Sequence, residues 1–303
     1  MKVKNIQLED IDPKEALQEF LLVQKAQGKS EATLQDYEYH NKILLRRCKT
    51  WEEIPKNARE YLAEVTKNNT YNLRLKNLKA FLQFAEDEGY LPENPLKGYK
   101  QKRVESRIVN IEEEALKKLL EAPDKKTFVG LRDYALMLLA LDTGIRPKET
   151  LHLEKGDICF KQNLVNVKST TSKTRVARSL PISSITARTI NKLIINHHEA
   201  WKTNLIFTTH EGKQMNKNTW SRRLEKYSKE IGTKIKPYDL RHSFALYYLR
   251  AEGDVFSLQK MMGHSNLSMT QKYLSLTDDD IKEKHACCSP LNTITKAKRI
   301  KKL

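Results

Sequence analysis

The residues best suited to chemistry lie near the C-terminus, where His264 and Tyr273 stand nine positions apart. An adjacent Arg–His pair, Arg241 and His242, precedes them in the chain. A phenol can attack phosphorus when its proton is accepted nearby, and Arg and His side chains can hold the phosphate oxygens. The types and order of these residues therefore indicate chemistry on a phosphodiester.

A second guanidinium group, that of Arg146, occurs in the segment TGIRPKE (143–149). The planar fork of Arg donates two parallel hydrogen bonds and stays charged at any working pH, which suits phosphate oxygens. Glu149 follows one helical turn later, at a spacing that can fix the guanidinium. Alone, Arg146 would be interpreted as a surface loop arginine, because the chain holds 55 basic residues. Together with the C-terminal residues it is predicted to contact phosphate.

Two lysines compete for the role of general acid. Short apolar runs separated by turn-like residues predict a three-stranded antiparallel sheet within residues 157–181. Lys173 lies in the predicted hairpin turn, eight residues before Pro181, and its ammonium could protonate a departing 5′ oxygen. Lys168, at the end of the preceding strand, is the competing candidate. Without the other motifs, Lys173 would be interpreted as a solvated turn lysine.

The pattern of elements predicts two domains. Residues 10–90 show helical periodicity and predict a small helical bundle, and the segment LPENPLKG (91–98), with two prolines and a glycine, marks its end. The predicted organisation is a helical domain over 1–98, a linker over 99–110 and a second domain over 111–303. The fold class is mainly α with a small antiparallel β-sheet, which is an α+β arrangement.

The charge of the chain favours a polyanionic partner. The formal net charge is +17, and residues 1–100 hold 17 basic against 16 acidic side chains, so nearly all of the excess follows residue 100. Such an excess favours nucleic acid before an acidic membrane surface. No apolar run approaches the roughly 20 residues of a membrane span, and the N-terminus lacks a signal-peptide pattern. The sequence therefore predicts a cytoplasmic protein without a membrane partner.

The cysteine content gives no sign of a disulfide framework or of a metal site. The four cysteines show no C-x-x-C spacing, so they are interpreted as reduced thiols. Cys287 and Cys288 lie close to His285, but no second pair of ligands accompanies them. No metal is predicted.

Taken together, these residues resemble the tyrosine recombinase, or phage integrase, family. The family pattern is an Arg in a T-G-x-R-x-x-E box, a Lys in a β-hairpin, the motif H-x-x-R-H, and G-H followed nine residues later by a nucleophilic Tyr. The resemblance covers essentially the whole chain. It assigns the catalytic places to Arg146, Lys173, Arg241, His264 and Tyr273, and supporting places to Glu149, Tyr238 and His242.

One position departs from the family pattern. Tyr238 stands where the family usually has the first His of H-x-x-R-H. Imidazole accepts a proton near neutral pH, whereas a neutral phenol is a poor base. Tyr238 is therefore expected only to donate or relay a hydrogen bond, and the group that accepts the proton of Tyr273 stays open. His242 is expected to be a partly buried histidine with satisfied hydrogen bonds.

The resemblance implies an enzyme that acts on double-stranded DNA. In the family, a helical, SAM-like core-binding domain and a catalytic domain clamp the duplex, and strands are exchanged through a covalent 3′-phosphotyrosine without metal, ATP or other cofactor. It further implies inverted-repeat core sites, a dimer on each site, a homotetramer on DNA and accessory DNA-bending proteins as possible partners. The expected setting is prokaryotic and nucleoid-associated, in a mobile element or in chromosome-dimer resolution.

Two alternatives stay open at this stage. One is a sequence-specific DNA-binding protein whose catalysis is lost or weak, which only Tyr238 supports. The other resembles type IB topoisomerases, which use similar chemistry with free strand rotation; motif spacing and the two-domain layout disfavour it. Neither the target sequence nor the direction of the reaction follows from the sequence.

Overall fold

The computed structural model describes residues 11–104, 109–170, 176–271, 273 and 285–294. Within the chain, two units separate by their contacts, Met1–Ser106 and Arg107–Leu303. The division falls inside the segment 99–110 that the sequence suggests as a linker. The described parts are mainly helical with a three-stranded antiparallel sheet, so the predicted fold class is confirmed.

The first unit is a helical bundle with an aromatic centre. Phe20 packs edge-on against Tyr37 and Phe81, with ring centroids 5.1 and 5.6 Å away. Helical periodicity predicts the third helix from Asn57, but it begins earlier, at Ile54, because a 3-10 turn at Trp51–Glu53 leads directly into it. The helices are α1 (Pro13–Ala26), α2 (Glu31–Leu45), α3 (Ile54–Ala63) and α4 (Asn68–Asp87).

The segment after the first bundle is attached to α4. The side chain of Asn72 pairs with both backbone groups of Lys102, accepting from its N–H and donating to its carbonyl, each at 2.8 Å. Asn68 donates to the carbonyl oxygen of Arg103, and the Lys102 ammonium lies 4.2 Å from the centre of the Tyr71 ring. Residues 102 and 103 therefore belong physically to the first unit, although the sequence suggests a free linker there.

The second unit is organised around α6 (Phe128–Thr143). This helix is apolar on nearly all faces and packs against α8 (Ser184–Ile195) and α10 (Pro237–Arg250), so it runs through the core. Thr127 caps its start, and Gly144 ends it in the left-handed region with φ of +61°. The helices of this unit are α5 (Glu113–Glu121), α6 (Phe128–Thr143), α7 (Pro147–Thr150), α8 (Ser184–Ile195), α9 (Lys217–Glu230), α10 (Pro237–Arg250), α11 (Val255–Met262), α12 (Ser268–Gln271) and α13 (Leu291–Ile294).

The sheet lies between α7 and α8 in the chain. Its strands are β1 (Ile158–Cys159), β2 (Leu164–Val167) and β3 (Arg178–Pro181), antiparallel in the order β1-β2-β3. Val165 faces Leu180 across the β2–β3 pair, and both side chains are fully buried. The predicted three-stranded antiparallel sheet is confirmed. The apolar run from Val176 to Leu180 predicts the third strand from Val176, but β3 begins at Arg178.

The described residues contain neither a membrane-spanning helix nor a cluster of metal ligands. Among these residues, no helix combines the length and apolar character that a membrane crossing requires. The same residues hold no group of three or more His, Cys, Asp or Glu side chains that could bind a metal ion. The four cysteines are free thiols.

Candidate active site

The turn after α6 aims the first guanidinium group into the site. Gly144 takes a left-handed conformation, and a Cβ there would lie 2.3 Å from the Phe244 ring, so only glycine fits. Arg146 then forms the N-cap of α7, and its side chain is buried. Arg241 Nη1 donates to the carbonyl oxygen of Gly144 at 2.5 Å, which ties α10 to the same turn.

A buried carboxylate holds two guanidinium groups. Arg146 Nη1 donates to Glu149 Oε1 at 3.0 Å, the contact that their spacing suggests. Arg178 Nη2 donates to Glu149 Oε2 at 2.6 Å. Burial raises the pKa of Glu149, but hydrogen bonds and charges of Arg178 and then Arg146 outweigh it, so that the pKa lies below its ordinary value.

Arg178 is a site residue that the sequence reasoning missed. Its Nε donates to the carbonyl oxygen of Met261 at 2.8 Å, so one side chain links β3, Glu149 and the end of α11. A signal for it exists in the sequence. Alternate residues of a strand share a face, so Arg178 lies on the same face as the fully buried Leu180. A charged side chain on an inward face needs a partner there.

The turn after α11 receives both predicted site arginines. Arg146 Nη2 donates to the carbonyl oxygen of Gly263 at 2.6 Å, and Arg241 Nη2 donates to that of Met262 at 2.7 Å. Burial, together with the charge of Arg146, lowers the pKa of Arg241. Residues far apart in sequence are thus anchored on two consecutive carbonyl groups.

His264 is held in one tautomer by its two neighbours. Its Nε2 lies 3.1 Å from Arg241 Nη2, and its Nδ1 lies 2.8 Å from Thr270 Oγ1. Because Arg only donates, Nε2 must accept, and the neutral ring therefore carries its proton on Nδ1 and donates to Thr270. Burial, then the charges of Arg241, Arg146 and Arg178, lower the pKa of His264 to about 4. Thr270, fully buried, was not foreseen from the sequence.

Tyr273 meets His242 at the end of the described site. The Tyr273 hydroxyl oxygen lies 2.6 Å from His242 Nδ1, and the rings are 5.6 Å apart. Burial raises the pKa of Tyr273 although the charge of Arg241 opposes it. Tyr238 lies one turn before His242 on α10, with its ring 6.2 Å from the imidazole, and 47% of its surface is exposed. Tyr273 also packs beside the small apolar cluster formed by α10 and α11.

The two candidate lysines are not equivalent. Lys173 lies outside the described residues, so its place in the hairpin stays a prediction. Lys168 Nζ pairs with Glu154 Oε2 at 2.5 Å and with Asp157 Oδ1 at 3.2 Å. The hydrogen bonds to Glu154 and Asp157 raise the pKa of Lys168. The structure therefore engages Lys168 with two carboxylates.

A cleft of about 1030 Å³ opens beside these groups. Arg178, Gly263 and His264 line it together with residues 166–168 of the β2–β3 hairpin and residues 259–261 of α11. The hairpin that carries Lys173 in the sequence thus borders the cleft that Arg178 and His264 line.

The shared carboxylate gives a prediction on stability. Glu149→Gln removes the negative charge that compensates buried Arg146 and Arg178, and we expect a loss of about 3 kcal/mol in the free energy of unfolding. The lowered pKa of Glu149 gives a stabilisation that is fully present above its unfolded value of about 4.5 and is lost as the pH falls through the folded value. The difference between wild type and variant, measured by urea unfolding, should therefore shrink only below about pH 4.5.

A matched control isolates burial in this comparison. Glu113 pairs with Lys117 on an exposed face of α5 in the same unit. Glu113→Gln should change the midpoint of urea unfolding far less, because exposed pairs are screened by solvent. Equal losses in the two variants, or a Glu149 effect that persists unchanged at pH 3, would contradict the account.

The geometry agrees with the result of comparison with known protein families. The model described as "Phage integrase family" matches residues 110–280. The match spans more than half of the chain and includes every predicted catalytic residue. The chain belongs to this family, the tyrosine recombinases.

Named relatives extend this result. The tyrosine recombinase XerC of Pelotomaculum thermopropionicum is 30% identical over 240 residues, covering 74% of this chain and 78% of the relative. The structure of the Tn1549 transposon integrase with transposon right end DNA covers 91% of this chain and 99% of that chain, with a TM-score of 0.75 and 18% identity. The structure of a lambda integrase tetramer bound to a Holliday junction covers 88% of this chain and 82% of that chain, with a TM-score of 0.68 and 20% identity. The two structures show a shared fold, and the family defines the enzyme class as site-specific recombinase.

Proposed function

We propose that this recombinase cleaves and rejoins duplex DNA with Tyr273 as nucleophile. Arg146 and Arg241 bind the non-bridging oxygens of the scissile phosphate, and His264 orients the Arg241 guanidinium through its Nε2. Lys173 donates the proton that the departing 5′ oxygen requires. The product is a 3′-phosphotyrosine ester, which a second 5′ hydroxyl attacks to rejoin the strand. Glu149 holds Arg146 in place.

The observation that carries this proposal is a surplus of buried positive charge. Arg146, Arg178 and Arg241 converge on one turn, and Glu149 is the carboxylate that contacts two of them in the described part of the chain. Buried charges are stable when they are paired, and an anion with several oxygens satisfies more than one guanidinium at once. A phosphodiester has this charge and these acceptors, and its charge grows in the transition state.

Further positive charge lies next to the site. A second cleft, of about 850 Å³, begins at Tyr238 at the start of α10 and extends to α9. Basic side chains suit the DNA backbone, and counterion release makes such binding fall steeply with salt. The basic residues that line this cleft are Lys217, Arg222, Lys229, Lys234 and Lys236.

The proposal extends to partners and assembly. The chain binds inverted-repeat core sites as one dimer per site, and two sites unite in a homotetramer. The lambda integrase tetramer on a Holliday junction, which shares the fold, supports this arrangement. Accessory DNA-bending proteins assist where the sites lie apart, and the enzyme acts in the cytoplasm on nucleoid DNA. The helical domain over residues 1–98 supplies the core-binding half of the clamp.

The described site supports catalysis over the first alternative, a binding protein without activity. That alternative rested on Tyr238, yet the hydroxyl of Tyr273 already lies within hydrogen-bonding distance of an imidazole nitrogen. The type IB topoisomerase alternative has no support from the family match.

A trapping experiment tests the proposal. A binding site is first found by enriching, from a random library, the duplexes that bind to the full chain. Each enriched duplex is then synthesised with a nick near the site, so that the short fragment released by cleavage diffuses away and the strand cannot be rejoined. We expect an adduct that survives denaturation, with peptide mapping placing a 3′ phosphate on Tyr273 and a free 5′ hydroxyl on the fragment. Linkage to another residue, or the absence of an adduct on every enriched duplex, would contradict it.

A further inference from the structure

We propose that His242 is the catalytic base of this enzyme: its Nδ1 accepts the phenolic proton of Tyr273 as the oxygen attacks phosphorus. The inference rests on the proposed role of Tyr273 as nucleophile. It assigns a proton acceptor in a chain where Tyr238 occupies the position at which an imidazole is expected.

The geometry supplies the first argument. The Tyr273 hydroxyl oxygen and His242 Nδ1 are 2.6 Å apart, which is a short hydrogen bond between neutral groups. A phenol is a stronger donor than a neutral imidazole N–H, because its pKa of about 10 is far lower, and an imidazole nitrogen is the stronger acceptor. The favoured arrangement therefore has the phenol donating to an unprotonated Nδ1, ready for transfer.

The neighbouring groups provide the second argument. Arg146, Arg178 and Arg241 have no acceptor atoms. His264 uses Nε2 to accept from Arg241 and Nδ1 to donate to Thr270, so both ring nitrogens are engaged. The low pKa of His264, about 4, also makes it a weak base. Among the described residues around Tyr273, His242 is the group whose nitrogen is both close and able to accept.

Tyr238 contributes to this arrangement as a neighbour on the helix and not as a base. Residues four apart lie on one helical face, so Tyr238 and His242 project to the same side of α10. The rings are 6.2 Å apart, and the Tyr238 side chain is half exposed. A neutral phenol is a poor base, because only its phenolate form takes up a proton readily.

The step balances as a transesterification. The Tyr273 oxygen forms a bond to phosphorus, its O–H bond breaks, and the proton passes to His242 Nδ1. The bond between phosphorus and the 5′ oxygen breaks, and that oxygen receives a proton from the general acid, proposed above as Lys173. In rejoining, the 5′ hydroxyl returns its proton to Lys173 and its oxygen attacks phosphorus, the ester bond to Tyr273 breaks, and His242 returns the other proton to the phenol.

The protonation state of His242 sets a pH dependence. The groups that face it are Asp239 and Arg241 on its own helix, Tyr238, Tyr273, and His264 from the turn after α11. Burial lowers the pKa of His242, Asp239 raises it and Arg241 lowers it, with a net result below the ordinary 6.5. His242 is therefore neutral and able to accept a proton at pH 7.

The test is the pH profile of adduct formation in a single turnover on the nicked duplex. For the wild type we expect the rate to rise through the acidic pKa of His242 and then to level off. His242→Asn keeps a polar atom close to the place of Nδ1 but cannot take up a proton. Adduct formation by His242→Asn should be slower than that of the wild type by about 10²-fold at pH 7. Its rate should rise tenfold per pH unit as Tyr273 ionises. His242→Ala should behave in the same way.

Controls separate this role from a structural one. His197 is another half-buried histidine of the same unit, and burial lowers its pKa as well. Its Nε2 forms a hydrogen bond with the carbonyl oxygen of Ile206, away from the site. His197→Asn should leave the profile of the wild type unchanged. An equal loss at every pH in His242→Asn, or an unaltered plateau, would overturn the proposal. Linkage to Tyr273 in the trapped wild-type adduct tests the nucleophile separately.

Discussion

Tyr273→Phe is expected to abolish covalent adduct formation, a fall of at least about 10⁴-fold in the single-turnover rate, since no other group takes over a positioned nucleophile. The substitution removes one oxygen atom and its hydrogen bond to His242 and leaves the packing of the ring beside α10 and α11 in place. Folding and DNA affinity should therefore stay close to those of the wild type. The measurement is denaturing electrophoresis of the nicked-duplex reaction, together with a binding titration.

Tyr247→Phe is the matched control for this loss. Tyr247 lies on α10, and its hydroxyl donates to the carbonyl oxygen of Ile111 at 2.9 Å, so the variant also loses one phenol and one hydrogen bond. It should lose some stability and keep its rate of adduct formation. Persistent adduct in Tyr273→Phe, or an equal loss in Tyr247→Phe, would show that the nucleophile is wrongly assigned.

Local signals predicted much of the fold. Asp12 before Pro13 and Ser30 both accept hydrogen bonds at helix starts, and Gly144 ends α6 in the left-handed conformation that glycine adopts readily. Such signals act over a few residues, so the sequence contains them directly. The attachment of residues 102 and 103 to α4 was not predicted, because it depends on Asn68 and Asn72, some 30 residues earlier in the chain.

The sequence suggests the residue types of the candidate site but not the hydrogen bonds that connect them. Arg146 meets the carbonyl of Gly263, which is 117 positions later, and Arg241 meets that of Gly144, which is 97 positions earlier. Such contacts form because the packed helices bring particular loops together. The spacing of residues in the sequence does not reveal which loops will meet. Arg178 was missed for this reason, and the pairing of His242 with Tyr273 likewise becomes visible only when the end of α12 is placed beside α10.

Arg241→Lys is expected to lower the rate of adduct formation by about 10³-fold, even though it preserves the positive charge, because removal of one preorganised donor alone costs about 10² to 10³. Arg241 donates at once to the carbonyl oxygens of Gly144 and Met262 and to His264 Nε2, which fixes its guanidinium. A Lys ammonium is a single point charge that cannot span these three acceptors and a phosphate oxygen. His264 would also lose the donor that fixes its tautomer. Single-turnover rates at saturating DNA measure the effect.

Arg132→Lys distinguishes lost chemistry from lost stability. Arg132 is as deeply buried as Arg241, and it donates to Asp133 and to the carbonyl oxygen of Thr208, away from the cleft. This variant should unfold at lower urea, yet its folded fraction should form adduct at the wild-type rate. Arg241→Lys should instead lose rate at temperatures where circular dichroism shows it fully folded, while its affinity for DNA changes little because many phosphate contacts share the binding. A rate deficit that follows the unfolded fraction alike in both variants would leave Arg241 a purely structural residue.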